Sequence, residues 1–157
     1  MNRLVPLLAA LAVPAAAQQA PMVQAQGSTC TLTAAEDATN ILGLSYDIAR
    51  QELTLSTANE VVSALPDSGE LDFAVVFAPK RGDEYDYGWA TRRFSYAREG
   101  DLVRFTTRFA GQRNVEQFLS DVADSRRLGF TEKGQFVIQY DLTGLPGAIA
   151  ELRACAA

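Results

Sequence analysis

The chain contains no histidine. That removes serine–histidine triads, histidine general bases and histidine-ligated zinc from the chemistry open to it. Cysteine is almost as scarce: there are two, Cys30 and Cys155, near opposite ends and without metal-type spacing. Beyond the amino terminus there is no apolar run approaching the roughly 20 residues that span a bilayer. No segment repeats and no catalytic motif stands out, so no catalytic residue, no metal ligand and no cofactor is assigned.

The amino terminus carries a clear pattern. Arg3 supplies a positive charge, Leu4 to Val13 is apolar apart from Pro6, and Ala15-Ala16-Ala17 forms a small-residue cleavage site. These are the three regions of a secretory signal peptide, and they predict cleavage after Ala17. Pro6 and Pro14 argue against the alternative, an amino-terminal core helix. Paired arginines are missing, as is a cysteine directly after the apolar run, which disfavours twin-arginine export and lipidation. The expected domain plan is a signal peptide over 1–17, a flexible linker over 18–28 and one globular domain over 29–157.

Export changes how the cysteines are read. In an oxidising compartment, an isolated even pair reads as a disulfide, here between Cys30 and Cys155. Bridged cysteines offer no thiolate nucleophile. Loss of Arg3 takes the net charge from −5 to −6. A negative domain of this size is disfavoured from nonspecific binding to nucleic acid or anionic membrane. The expectation is a periplasmic or secreted monomer with no membrane span in the mature chain.

Alternation dominates the pattern along the chain. Leu42, Leu44 and Tyr46, then Leu53 and Leu55, predict a hairpin turning at Asp47 to Arg50. Leu71, Phe73, Val75 and Phe77 predict a strand, as do Trp89 to Ala97 and Val103 to Phe109. Val115, Phe118, Leu119 and Val122 have helical spacing, with Asn114 as N-cap and Gln117 at the capping-box position. Phe136 to Leu142 predicts a last strand. Leu145, Ile149, Leu152 and Cys155 share one face of a closing helix with Pro146 in its first turn. The fold class expected is α+β: a mostly antiparallel sheet or sandwich with two short helices in the C-terminal third. The disulfide would then staple the last helix to the first strand.

The final third, from the helix Asn114–Ser125 through the strand Gln135–Leu142 to Thr143-Gly144-Leu145-Pro146-Gly147-Ala148 and the helix ending Leu152-Arg153-Ala154-Cys155, resembles the end of small exported proteobacterial proteins similar to the invasion-associated locus B family. The resemblance implies a fold and a compartment. It carries over no site residues.

Three clusters are candidate sites. The loop Lys80 to Trp89 holds Tyr85, Tyr87 and the single tryptophan, Trp89; exposed aromatics give large, rigid contact surfaces. The competing and favoured reading is an ordinary polar loop with Trp89 packed at the sheet end. Second, Arg104 and Arg108 share the outer face of one strand and Arg93 on the neighbouring strand joins them, a patch able to grip a carboxylate or phosphate. Its competitor, also favoured, is a wet sheet face paired with acids between Glu60 and Asp72. Third, Asp83, Glu84 and Asp86 are the only set suited to a carboxylate-based hydrolase, and clustered loop acids are usually just solvated. Composition thus favours a non-enzymatic exported domain that binds a protein or cell-envelope component, ahead of a periplasmic carboxylate-dependent hydrolase or a structural envelope protein.

The export expectation has a direct check. The intact mass of the exported chain should lack residues 1–17 and be two protons lighter before reduction than after it; a chain still beginning at Met1 would refute it.

Overall fold

The computed structural model describes residues 19–60, 65–79 and 87–155. The expected signal peptide over 1–17 lies outside them. Where a flexible linker was expected over 18–28, the structure has a strand, β1 (Gln19–Gln26), paired antiparallel with β2 (Thr29–Asp37). Its sequence, QAPMVQAQ, has too little apolar alternation to announce itself. It forms because β2 offers an open edge of backbone donors and acceptors.

The hairpin β3 (Asn40–Asp47) and β4 (Glu52–Asn59) follows, then β5 (Ser68–Pro79), β6 (Tyr87–Glu99) and β7 (Leu102–Ala110). Helix α1 (Gln112–Asp124), strands β8 (Ser125–Glu132) and β9 (Gln135–Asp141), and helix α2 (Leu145–Cys155) complete the described chain. The nine described strands form one antiparallel sheet in the order β1-β2-β3-β4-β7-β6-β5-β8-β9. The predicted α+β class is therefore what the molecule has, as a single curled sheet.

Alternation decides which face turns inward. Leu42, Leu44 and Tyr46 on β3, Leu53 and Leu55 on β4, and Val103, Phe105 and Phe109 on β7 are all buried, while the residues between them are mostly more exposed. The curl brings the far end of the sheet back across: the Tyr140 hydroxyl on β9 lies 3.1 Å from the Ile41 carbonyl and 3.0 Å from Asn59 Oδ1. The backbone N–H of Asp141 donates to the Glu36 carboxylate on β2. Edge-to-face phenylalanines fill the interior, with Phe73 within 6.5 Å of Phe94, Phe105 and Phe130.

The helices close the concavity. Helix α1 buries Val115, Phe118, Leu119 and Val122, and α2 buries Leu145, Ile149 and Leu152 against β1 and β2. The capping expected for α1 is not what forms. The helix starts at Gln112 behind Gly111, whose φ of 86° suits glycine, and no side chain caps it. Asn114 instead donates back to the Ala110 carbonyl, and Gln117 donates to Asp121. The tight β8–β9 turn needs positive φ at both Lys133 and Gly134, 50° and 81°.

Cys30 and Cys155 are bridged, with Cα atoms 6.1 Å apart and 125 residues of separation. With β1 present, the bond joins α2 to the second strand, not the first. No described helix is long and apolar enough to cross a membrane.

Loop-closure entropy for a ring of this size amounts to about 5 kcal/mol. Cys30→Ser/Cys155→Ser should lower the urea unfolding free energy by an amount of that order, and α2 amides should lose hydrogen-exchange protection first. Unchanged stability would mean the bond constrains nothing.

Candidate functional site

One irregularity in the sheet shapes the site. Along the β5–β6 ladder, Phe73 faces Arg92 and Val75 faces Trp89. Strand β6 thus spends two residues, Ala90 and Thr91, opposite the single residue Ala74. Such a bulge shifts the side-chain phase of its strand. Trp89 and Arg92, an odd and an even position, consequently both turn inward, while Arg93 is exposed and Phe94 buried.

Trp89 is anchored there. Its ring packs edge-on against Phe109 and Phe118, with centroids 5.1 and 5.7 Å away. Its indole N–H donates to Asp121 Oδ2 on α1 at 2.8 Å. Asp121 is buried and also accepts from Gln117 at 2.9 Å. Among the three aromatics proposed for the loop, Trp89 is therefore part of the link between β6 and α1. Tyr85 lies outside the described residues, as do Asp83, Glu84 and Asp86. Tyr87 opens β6 opposite Phe77.

The bulge has a second consequence. Strands β6 and β7 pair only from Ser95–Thr106 to Glu99–Leu102, whereas β7 stays paired with β4 as far as Ala110. Beyond Ser95 the two strands part, leaving a cavity of about 380 Å³ lined by Ala90, Thr91, Arg92, Arg93, Thr107 and Arg108. Side chains bridge what backbone pairing no longer does. The Thr107 hydroxyl donates to the Arg93 carbonyl at 2.9 Å, and Arg92 Nη2 donates to the Arg108 carbonyl at 2.7 Å.

The arginine patch resolves into unlike members. Arg93 and Arg108 flank this slot. Arg93 pairs with Asp72 at 3.2 Å and Glu70 at 3.6 Å; Arg108 sits 3.5 Å from Glu52. Arg104 does not line the slot and is tied to Glu99 at 2.8 Å. These exposed pairs contribute little to stability. Their hydrogen bonds and charges push the Arg93 and Arg104 guanidinium pKa values up and that of Glu99 down.

Arg92 differs from all of them. Among the described residues it pairs with no carboxylate, and its guanidinium carbon lies 4.2 Å from the Phe109 ring centroid, a cation–π contact. Its Nε is buried without a hydrogen-bond acceptor, and burial pulls its pKa down. Arg92 is in phase with the buried Phe94 and Tyr96, so alternation along β6 turns it away from the face that carries Arg93. The available signal was the pair Arg92-Arg93 itself: two adjacent arginines on a strand cannot both face water.

A second cavity, about 190 Å³, lies where β9 meets β2 and α2, lined among others by Ala34, Glu36, Leu42, Tyr140, Asp141 and Leu145. Burial pushes the Tyr140 hydroxyl well above its ordinary pKa, leaving it a neutral hydrogen-bond donor. Hydrogen bonds from Thr143 hold Asp141 below the usual carboxylate range, and Asn40 and Thr39 do the same for Asp37. Among the described residues, Asp37, Glu99 and Asp141 are all held below the usual carboxylate range, away from the raised pKa that a general acid needs. Among the described residues, no group of three His, Cys, Asp or Glu side chains is placed to hold a metal ion.

No family model, curated protein or solved structure matches the chain.

Trp89 supplies the test of this arrangement. Trp89→Phe should cost about 1–3 kcal/mol, because Asp121 loses a buried donor. Trp89→Ala should cost about 3 kcal/mol or more, through the cavity beside Phe109 and Phe118. Urea midpoints measure both; an alanine variant as stable as the parent would contradict the anchoring role.

Proposed function

We propose that this chain is an exported, non-enzymatic domain of the periplasm or extracellular space that binds a protein or cell-envelope component at the slot between β6 and β7. The observation that carries the reading is Arg92. A half-buried cation without a carboxylate is unfavourable in a purely structural role, and here it stands at a solvent-open slot between two further arginines. Export is supported separately by the amino-terminal pattern and by the Cys30–Cys155 bond, a type of link that persists in oxidising compartments. The resemblance to small exported proteobacterial proteins supports the same compartment.

Two alternatives are less well supported. The acids proposed for a hydrolase, Asp83, Glu84 and Asp86, lie outside the described residues, and no described observation favours that reading. A structural envelope protein gives no account of why Arg92 has no carboxylate partner among the described residues.

The test is co-sedimentation of the mature chain with isolated cell envelopes at low salt, against Arg93→Glu/Arg108→Glu. Charge reversal at both walls should weaken retention about tenfold or more, since steering and rim contacts both change sign. Equal retention of a folded double variant would eliminate the slot as the contact site.

A further inference from the structure

We propose that the slot is a carboxylate-binding site and that Arg92 is the residue that grips the ligand, an assignment that rests on the slot being the contact surface.

Geometry supplies the first argument. The Arg92 guanidinium carbon lies over the Phe109 ring, 4.2 Å from its centroid. The guanidinium makes no hydrogen bond through Nη1 among the described residues, and the planar donor edge of Nη1 and Nη2 matches the two oxygens of a carboxylate. One of those donors, on Nη2, is committed to the Arg108 carbonyl. That bond fixes the orientation of the group at the slot, so little rotamer freedom is lost when a ligand arrives. Thr91 lines the same slot and adds a hydroxyl group, whereas the Thr107 hydroxyl is already committed to the Arg93 carbonyl.

Charge supplies the second argument, and it separates carboxylate from phosphate. Arg93 already faces Asp72 and Glu70, and Arg108 already faces Glu52. Those acids cancel the flanking cations and would repel a dianion. Among the described residues that line the slot, Arg92 is the cation with no carboxylate beside it. One unpaired guanidinium matches one monovalent planar oxyanion, such as an acidic side chain, a chain terminus or a sugar acid.

The probe is N-acetylglycine, which carries one carboxylate, compared with N-acetylglycinamide and inorganic phosphate at low salt, read by backbone amide shifts. N-acetylglycine should give saturable shifts at Thr91, Arg93, Thr107 and Arg108; the amide should give none, and phosphate should bind several-fold more weakly. Arg92→Gln should weaken N-acetylglycine about tenfold or more, the loss of one charge-assisted contact. Arg92→Lys, which keeps the charge and loses the fork, should weaken it as well. Shifts elsewhere, phosphate binding as tight as carboxylate, or full affinity in Arg92→Lys would overturn the assignment. If Arg92→Gln fails to fold, the shift map of the unaltered chain and the lysine variant decide. Absence of any saturable shift, with envelope retention still dependent on Arg93 and Arg108, would sink the carboxylate assignment and leave the proposed function standing.

Discussion

A sheet of nine antiparallel strands with one apolar face has to keep that face from water, and two helices of 13 and 11 residues cannot cover it alone. Curling is the solution, because twist accumulates strand by strand and turns the apolar face inward on itself. The packing follows from this constraint. Phenylalanines from β5, β6, β7 and β8 meet in one cluster, and Tyr140 reaches from β9 to the ends of β3 and β4. The helices then fill what the curl leaves open, and the disulfide holds α2 against β2.

A sheet that curls this strongly does not keep every ladder intact. The bulge at Ala90-Thr91 and the early end of the β6–β7 pairing are where this sheet gives way. The same break serves two purposes. The bulge turns Trp89 onto α1, tying helix to sheet through Asp121, and the parted strands leave Arg92, inward by ordinary alternation, over Phe109 at a slot in the sheet. Stability and the candidate site therefore share one backbone irregularity, and the residues on its two sides, Trp89 and Arg92, have different roles.

Strand identity was legible to the extent that side chains alternated. The β3–β4 hairpin, β5, β7, β9 and both helices lie where the spacing of Leu, Phe and Val placed them. The strand β1 was not legible, because an edge strand of glutamines and alanines is recruited by its neighbour's backbone and not by its own pattern. The capping of α1 by Asn114 failed for a related reason: the tight exit from β7 needs Gly111 at positive φ, which moves the N-cap three residues earlier.

By itself the sequence determined the strand-rich class, the pairing of the only two cysteines and the lack of any histidine chemistry, because composition and period-two alternation are local properties of the chain. Only the tertiary structure decided which arginine matters. Alternation put Arg93, Arg104 and Arg108 outward as a set; contacts across the curled sheet gave each of them a carboxylate and left Arg92 without one. That outcome depends on the pairing of β5 with β6, which sets Arg92 opposite Phe73 and Arg93 opposite Asp72, and register across a ladder is set by the partner strand, which no single segment of sequence contains.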